Sequence, residues 1–417
     1  MSEVLKGACI FGQSGGPTSV INASAYGVIR QALNSPAITR VYGAEHGILG
    51  VLNDRLFVMD EEDPRELRFL VNTPSSELGS CRYKIAEPED NDRDYKRILE
   101  IFKKYDVRYF FYNGGNDSMD TCNKIDRYMK SVGYECRVIG VPKTIDNDLA
   151  GTDHCPGFAS AAKYIATSCM ETYKDMRVYD TGMVTILEIM GRNAGWLAAS
   201  SALASMAGSG PDFIYLPETD FDMEKFLDDV QDAYRQDRHV MVAVSEGIHY
   251  ADGSFVSEAS TGSTDAFGHE QLGGLAIILA NAVKLRMDVK VRAIELSLLQ
   301  RAAAHQASAT DIDEAIAAGR TAVDYAVRGE SGKMVGIKRD SLNFGYVGEM
   351  ISVPLEDVAN KEKKFPREWI NDDGNFVKKD FIEYVLPLIQ GEPDIDYVNS
   401  LPRYARLKKV LASNGEY

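Results

Sequence analysis

Two loops of this sequence combine acidic, hydroxyl and amide side chains directly after apolar, β-rich runs. Residues 112–118 read Tyr-Asn-Gly-Gly-Asn-Asp-Ser and follow the run 107–112. Residues 141–149 read Val-Pro-Lys-Thr-Ile-Asp-Asn-Asp-Leu and follow the run 136–141. Open α/β sheets bind their ligands beyond the carboxyl ends of the strands, so we expect both loops to line a ligand site.

The loop at 141–149 carries the side chains that phosphoryl transfer needs. Asp146 and Asp148 alternate with an asparagine, while Lys143 and Thr144 supply a cation and a hydroxyl. A carboxylate can accept the proton of a substrate hydroxyl, and a cation can meet a phosphate. The alternative is a solvated turn, which rarely needs such a mixture of groups.

Two glycine-rich loops could bring backbone amides close to an anion. In the 112–118 loop, Asp117 and Ser118 follow two glycines and could orient a phosphate, or instead cap the next helix. Residues 11–18, Phe-Gly-Gln-Ser-Gly-Gly-Pro-Thr, leave a strand and enter a helix, whose N-terminus favours anions. They match neither the dinucleotide-binding nor the P-loop pattern, so a plain tight turn is the alternative.

Two later strand exits carry one charged residue each. Arg192 lies in the glycine-flanked stretch 190–197 and could stabilise charge on a transferring phosphoryl group, or form an ordinary salt bridge. Glu246 follows the run 240–244 and could bind a sugar hydroxyl, or cap a helix.

Strands, loops and helices alternate along the chain. Each apolar run ends at a loop that contains glycine or proline, and helical patterns lie between the runs. The runs cover 8–11, 184–189, 213–216 and 240–244, and the helical patterns cover 20–32, 275–285, 313–327 and 381–390. Over 417 residues, this alternation predicts an α/β protein with two domains and mostly parallel sheets.

Charge and cysteine content argue against several classes of protein. Lys and Arg total 46 against 62 Asp and Glu, and the net charge of −16 would repel nucleic acid. The six cysteines lack the spacing of a zinc site or a disulfide framework. The sequence shows neither a signal-peptide pattern nor an apolar run long enough for a membrane span, so we expect no membrane partner and a cytoplasmic location.

Taken together, the motifs resemble those of the phosphofructokinase family, most closely its pyrophosphate-dependent members, and cover most of the chain. In the family's order they are Gly-Gly-Pro at 15–17, Leu-Gly-Ser-Cys-Arg at 78–82, Gly-Gly-Asn-Asp-Ser at 114–118, Pro-Lys-Thr-Ile-Asp-Asn-Asp at 142–148, Met-Gly-Arg at 190–192, Glu-Gly at 246–247 and Gln-Arg at 300–301.

The resemblance implies two Rossmann-like three-layer domains with mostly parallel sheets and an active site in the cleft between them. Residues 1–156 with about 315–365 would form an N-terminal phosphoryl-donor domain. Residues 157–314 with about 366–417 would form a sugar-phosphate domain and a C-terminal covering segment.

The resemblance also implies reversible transfer of phosphate from diphosphate to the 1-hydroxyl of fructose 6-phosphate. Asp146 would take the hydroxyl proton, Arg192 would stabilise the transferring group, and Lys143 would bind pyrophosphate. Thr144, Met190, Gly191, Glu246 and Arg301 would hold the sugar phosphate, and Gly15, Gly16, Arg82, Gly115, Asp117 and Ser118 would line the donor side.

Two positions in the sequence indicate which phosphoryl donor the protein uses. By the resemblance, ATP-dependent members usually carry glycine where this chain has Asp117 and Lys143, whereas pyrophosphate-dependent members carry aspartate and lysine. Asp117 would repel the α-phosphate of a nucleotide, and Lys143 would bind the compact charge of pyrophosphate. The alternatives are an ATP-dependent 6-phosphofructokinase and a catalytically silent regulatory subunit. A dinucleotide-binding oxidoreductase would need a glycine pattern that residues 12–17 lack.

The sequence departs from the family pattern at three places. Asn116 stands where the family usually has an aspartate associated with Mg²⁺, so we assign the metal to Asp117 and Asp148. Met183 replaces an arginine that reaches the sugar phosphate of a neighbouring subunit in the ATP-dependent enzymes. His305 ends an unusual Ala-Ala-Ala-His segment and could help to hold the sugar phosphate, or face solvent. The resemblance implies a homo-oligomer, either a dimer or a tetramer.

Overall fold

The computed structural model describes residues 4–257, 274–340 and 345–412. The strands in these ranges are β1 (Gly7–Gln13), β2 (Ile38–Ala44), β3 (Leu56–Val58), β4 (Val107–Gly114), β5 (Arg137–Pro142), β6 (Met183–Ile189), β7 (Phe213–Tyr215), β8 (His239–Ser245), β9 (Val291–Glu295), β10 (Lys333–Asp340), β11 (Val347–Pro354), β12 (Tyr397–Val398) and β13 (Leu401–Pro402). The α-helices are α1 (Ile21–Asn34), α2 (Ile48–Leu52), α3 (Pro64–Phe69), α4 (Arg93–Lys104), α5 (Asn116–Ser131), α6 (Phe158–Met176), α7 (Trp196–Ala199), α8 (Met223–Asp237), α9 (Leu275–Met287), α10 (Leu299–Ala302), α11 (Ala309–Val327) and α12 (Lys379–Val385). Within the described ranges, no helix has the length and apolar character needed to cross a membrane.

The chain divides into two units. Unit 1 comprises the described residues within 1–157, 307–362 and 391–417, and unit 2 comprises those within 158–306 and 363–390. Both units are discontinuous in sequence, because the chain leaves unit 1 after its first five strands and returns to it twice.

Unit 1 contains a seven-stranded sheet in the order β11-β10-β5-β4-β1-β2-β3. The strands from β10 to β2 are parallel, and the two edge strands pair antiparallel with their neighbours. At the carboxyl ends, Asn113 of β4 pairs with Gln13 of β1 and with Val141 of β5. This register brings the loops that follow β1, β4 and β5 to one edge of the sheet.

Helices cover both faces of the unit 1 sheet. Ile10 of β1 packs with α4 and α5 on one face, whereas its neighbour Phe11 packs with α1 and α11 on the other. Successive side chains of a strand point to opposite faces, so a run that is apolar at every position is buried on both sides. The arrangement has three layers, which agrees with the predicted α/β fold.

Unit 2 contains a four-stranded sheet in the order β7-β8-β6-β9, in which all neighbours are parallel. One face packs against α8 and α9 through residues such as Ile186, Val230 and Leu279. Glu188 of β6 pairs in register with Val244 of β8, so the loops after these two strands leave the sheet side by side.

The segment 391–412 packs against unit 1. The backbone N–H groups of Lys408 and Lys409 each donate to the Glu62 carboxylate at 2.7 Å, and Val58 N–H donates to Val410 O at 2.8 Å. The boundaries predicted from the sequence place 366–417 with the second domain and divide α11 at about 315. The contacts instead keep 363–390 in unit 2, and place 391–412 and all of α11 in unit 1.

Candidate active site

Lys143 connects the loops at the carboxyl edge of the unit 1 sheet. Its Nζ donates to Gly16 O at 2.6 Å in the loop after β1, and its backbone N–H donates to Gly114 O at 3.1 Å at the end of β4. The Gly15 N–H donates to Cys81 O at 3.1 Å, which adds the segment that carries Arg82. The glycine-rich loops and the Arg82 segment therefore surround one lysine.

The backbone around Lys143 depends on Gly15. This residue has φ +75°, in the left-handed region that other residues rarely adopt, and a Cβ here would lie 3.4 Å from Lys143 Nζ. Lys143 itself is buried, with 3% of its surface exposed. Its ammonium group thus lies among the main-chain groups of the glycine-rich loops.

Asp117 and Ser118 lie in the first turn of α5. The helix is capped by Gly115, without a side-chain capping bond, so neither residue is the helix cap that the sequence offered as an alternative. Asp117 is 38% exposed, and Lys84 Nζ lies 3.8 Å from its Oδ1. Ser118 is buried beside Gly114, which places its hydroxyl at the end of β4.

Asn116 begins α5 with a buried side-chain amide. Within the described part of the chain, neither its Oδ1 nor its Nδ2 has a hydrogen-bond partner. Unsatisfied buried polar atoms are rare because leaving one unpaired costs about 1 to 3 kcal/mol. An amide in this state is suited to bind a ligand, next to the half-exposed carboxylate of Asp117.

The loop that contains Asp146 is held by a hydrogen bond within the loop and by hydrogen bonds to residues 155 and 156. The Asp146 N–H donates to Thr144 Oγ1 at 3.0 Å, and Thr144 N–H donates to Pro156 O at 3.3 Å. Asn147, which is fully buried, accepts from Cys155 N–H at 3.0 Å through Oδ1. Asp146 keeps an intermediate exposure, so its backbone is held by these bonds while solvent or a substrate can reach the residue.

In unit 2, the loops after β6 and β8 contact each other closely. Glu246 Oε1 accepts from Gly191 N–H at 3.2 Å, and Ser245 Oγ donates to Gly191 O. A Cβ on Gly247 would lie 1.8 Å from Arg192 O, so only glycine fits at this position. The Arg192 guanidinium lies 5.5 Å from the centre of the Phe255 ring.

The ionisation of Glu246 depends on its neighbours. Burial raises the pKa of its carboxyl, while the Gly191 N–H and the charges of Arg192 and Arg301 oppose that rise. The net shift is upward, with Glu295 adding a further negative charge. No helix lies within residues 246–257, so Glu246 does not cap one. Two arginines and a carboxylate thus share one region of unit 2.

The predicted site residues fall into two groups. The donor-side residues, the loop with Thr144 and Asp146, and Asp148 lie in unit 1, while Met190, Gly191, Arg192, Glu246 and Arg301 lie in unit 2. In unit 2, Met190 N–H donates to Gln300 Oε1 at 3.2 Å, which ties the 190–192 motif to the 300–301 motif.

Three further residues qualify the sequence-based interpretation. Met183 is buried at the start of β6, so its side chain is part of the interior. His305 is exposed, and its ring meets Tyr164 edge-on. Lys84 was missed, although it lies only two residues after Arg82 and brings a positive charge to Asp117.

Comparison with known proteins agrees with these motifs. A family model described as Phosphofructokinase matches residues 9–326, and the chain belongs to the phosphofructokinase family. It is 44% identical over 403 residues to the pyrophosphate–fructose 6-phosphate 1-phosphotransferase of Halomonas elongata, covering 96% of each chain. It is 43% identical to the protein of that name from Methylococcus capsulatus, covering 97% of this chain and 98% of the relative.

Solved structures show the same similarity. The crystal structure of a pyrophosphate-dependent phosphofructokinase from Nitrosospira multiformis superposes with a TM-score of 0.89 at 40% identity, covering 98% of both chains. The predicted family and the predicted α/β fold are therefore confirmed.

Proposed function

We propose that this chain is a pyrophosphate-dependent 6-phosphofructokinase. It would transfer a phosphoryl group from diphosphate to the 1-hydroxyl of fructose 6-phosphate, giving fructose 1,6-bisphosphate and orthophosphate. The observation that carries the proposal is Lys143, a buried lysine whose ammonium contacts the Gly15-Gly16 loop. The names of relatives that match nearly the whole chain support it.

The donor preference follows from charge and space. Lys143 supplies a positive charge where a compact anion could meet it, and Asp117 supplies a negative charge at the N-terminus of α5. A nucleotide donor would bring a third phosphate and a nucleoside toward that carboxylate, whereas pyrophosphate has neither group. Both residues therefore favour the shorter donor.

The chemistry would be an in-line displacement at phosphorus. Asp146 would accept the proton of the 1-hydroxyl while the hydroxyl oxygen bonds to phosphorus and the bridging P–O bond of diphosphate breaks. We assign to Arg192 the stabilisation of charge on the transferring group, and to Glu246 and Arg301 contacts with the sugar phosphate. Thr144, Met190 and Gly191 would complete the sugar-phosphate contacts.

We also propose that Mg²⁺ binds with the donor. Within the described residues, no group of three or more His, Cys, Asp or Glu side chains could hold a metal by itself. Mg²⁺ commonly takes only one or two carboxylates and completes its shell with water and substrate phosphates. Asp117, Asp148 and the buried amide of Asn116 fit such a partial set. When bound, the ion would neutralise charge on the diphosphate oxygens.

A donor comparison tests the proposed function. Initial rates would be measured on the purified chain with fructose 6-phosphate and Mg²⁺, using diphosphate or ATP as the donor. We expect kcat/KM to be at least about 10²-fold higher with diphosphate, since the discrimination rests on a repelled and an attracted charge. A preference for ATP would identify the ATP-dependent alternative, and turnover with neither donor would favour a silent regulatory subunit.

Two finer features are proposals as well. We expect a homo-oligomer, a dimer or a tetramer, in the cytoplasm. Light scattering on the purified protein would give the mass of the assembly, to compare with the 46.1 kDa of one chain.

A further inference from the structure

A histidine without a role in the proposed chemistry lies buried behind the Asp146 loop. His154 is 0% exposed, and each ring nitrogen faces a carboxylate. Nδ1 lies 2.9 Å from Asp153 Oδ2, and Nε2 lies 2.6 Å from Glu314 Oε2. An ionised carboxylate can only accept hydrogen bonds, so the ring satisfies both contacts only when both nitrogens carry protons. The geometry is that of an imidazolium ion.

The surrounding charges balance that ion. From β10, Arg339 donates to both carboxylate oxygens of Asp153, at 3.1 and 2.9 Å. From the residue just before β11, the Tyr346 hydroxyl donates to Glu314 Oε1. Glu314 itself belongs to α11. Two cations therefore face two carboxylates, and a neutral ring would leave a buried excess of negative charge.

The pKa of His154 reflects the same contacts. Burial by itself lowers the pKa of the imidazole, but the hydrogen bonds and charges of Asp153 and Glu314 outweigh it, so the net shift is upward from 6.5. Arg339 and His154 in turn hold the pKa of Asp153 down at about 2, against the effect of burial. The ring gives up its proton only above its ordinary range.

His154 is connected to the Asp146 loop by its two following residues. Cys155 N–H donates to Asn147 Oδ1 at 3.0 Å, and Pro156 O accepts from Thr144 N–H at 3.3 Å. Thr144 and Asn147 flank the short stretch that carries Asp146. The main chain at 155–156 thus forms the back wall of the loop, and His154 is the residue directly before that wall.

The same segment has other attachments. Asp153 N–H donates to Ile337 O at 2.7 Å, and Ile337 N–H donates to Thr152 Oγ1 at 2.8 Å. Gly157 N–H donates to Asp311 Oδ1 at 2.9 Å. These bonds do not involve the imidazole, so residues 152, 153 and 157 stay bound to unit 1 when the ring loses its proton, and a shift is confined to the residues between them.

We propose that His154, as an imidazolium ion, is a positioning residue for the loop that carries Asp146, and that loss of its proton lowers turnover at alkaline pH. The inference rests on the proposed function, because Asp146 is the base of that reaction. A displaced base lowers kcat steeply, since an error of about 1 Å in a reacting group costs on the order of 10²-fold in rate. The Lys143 ammonium bonds to Gly16 O rather than to this wall, so diphosphate binding should change little.

The test compares kcat as a function of pH in the wild type, Glu314→Gln and His154→Gln. We expect the wild-type kcat to fall on the alkaline side. In Glu314→Gln, one carboxylate no longer supports the imidazolium, so this fall should move to lower pH by about one unit. His154→Gln should lack that fall and have a kcat about 10-fold lower near neutral pH, with the KM for diphosphate within about threefold of wild type.

A destabilised variant separates positioning from stability. Ile98→Ala opens a cavity in α4, away from this cluster, and should lower the melting temperature while keeping the wild-type pH profile. If Glu314→Gln and His154→Gln kept the wild-type alkaline fall, or changed KM without changing kcat, the positioning role would be overturned.

A second measurement does not depend on the reaction. Hydrogen–deuterium exchange of peptides from 143–157 should be faster in His154→Gln than in the wild type, with little change in peptides from α4. Unchanged exchange at 143–157 would refute the proposal. Inactivity of the wild type with diphosphate, combined with faster exchange in the variant, would instead refute only the proposed function and leave the loop-positioning contact supported.

Discussion

The two groups of site residues are held in different ways. In unit 1, Lys143 is surrounded by main-chain groups of glycine-rich loops, including Gly16 O and Gly114 O. In unit 2, side chains hold the main chain, since Glu246 accepts from Gly191 N–H and Gln300 accepts from Met190 N–H. The first group depends on backbone shape, and the second depends on side-chain acceptors, of which Glu246 is a carboxyl with a raised pKa. Mutations and pH should therefore affect the two units differently.

The largest effect should come from the base in unit 1. Asp146→Asn keeps the size of the side chain and removes its ability to accept a proton, so kcat should fall by at least about 10²-fold. The main-chain groups around Lys143 are untouched, and KM for diphosphate should stay close to that of the wild type. Steady-state kinetics would measure kcat and KM, and circular dichroism would show whether the variant is folded. Near-normal turnover of a folded Asp146→Asn enzyme would remove Asp146 from this role.

Arg192 tests whether unit 2 contributes to the transition state as well as to binding. Its charge should count for more when the phosphoryl group is in transit, so Arg192→Ala should lower kcat by about 10²-fold. Arg192→Lys should recover only part of the loss, because an ammonium cannot reproduce the planar guanidinium. If both variants raised KM and left kcat unchanged, Arg192 would be an anchor for the substrate.

Donor choice should respond to the charges in unit 1 alone. The double variant Asp117→Gly with Lys143→Gly removes a repulsion and an attraction, and should lower the diphosphate-to-ATP ratio of kcat/KM by at least about 10-fold. The two single variants show which charge matters more. A matched change in unit 2, Glu246→Gln, should alter the KM for fructose 6-phosphate without changing that ratio. An unaltered ratio in the double variant would mean that donor selection lies elsewhere.

The smallest effect concerns stability in unit 2. Burial raises the pKa of Glu188 to about 7, and the charges of Glu295 and Glu246 add to the rise. A carboxyl whose pKa is raised by folding stabilises the fold fully below its unfolded value of 4.5, and that contribution is lost as the pH rises to about 7.

Glu188→Gln resembles the protonated form, and its amide oxygen can still accept from Ala276 N–H. Its melting temperature should therefore equal that of the wild type at acidic pH and exceed it by a few degrees above about pH 7. Calorimetry across this range would measure the difference, with Glu171→Gln, at an exposed position of α6, as the control. A constant difference between Glu188→Gln and wild type would argue against a raised pKa.

Much of the fold follows from local pattern. The apolar runs at 8–11, 184–189 and 240–244 lie inside β1, β6 and β8, because a parallel strand covered on both faces must be apolar at nearly every position. The glycine and acidic motifs fall at strand ends, as predicted. The family is confirmed for a related reason, since its motifs are short loop sequences that can be read without knowing the tertiary structure.

Other features depend on residues far apart in sequence. Besides the adjacent Asp153, the His154 ring contacts Glu314 and the hydroxyl of Tyr346, which lie 160 and 192 positions further along the chain. The local sequence Asp-His-Cys-Pro-Gly shows the first carboxylate but carries no sign of the second, Glu314. The return of 391–412 to unit 1 cannot be predicted from the sequence either. Its bonds to Glu62 are made by backbone N–H groups, which nearly any residue could supply. The individual roles assigned to site residues stay predictions.

The discontinuity of unit 1 has a consequence for biosynthesis. Strands β1 to β5 leave the ribosome first, but β10, which pairs with β5, follows only after the whole stretch 158–306. Contacts between residues so distant in sequence carry a large loop-closure cost and form slowly. The sheet of unit 2 is formed entirely by strands within 183–295. This sheet can therefore form while β5 is still unpaired, because β10 has not yet been synthesised. During that interval the exposed β5 edge is open to pairing with another nascent chain, which makes it the expected origin of aggregation during synthesis.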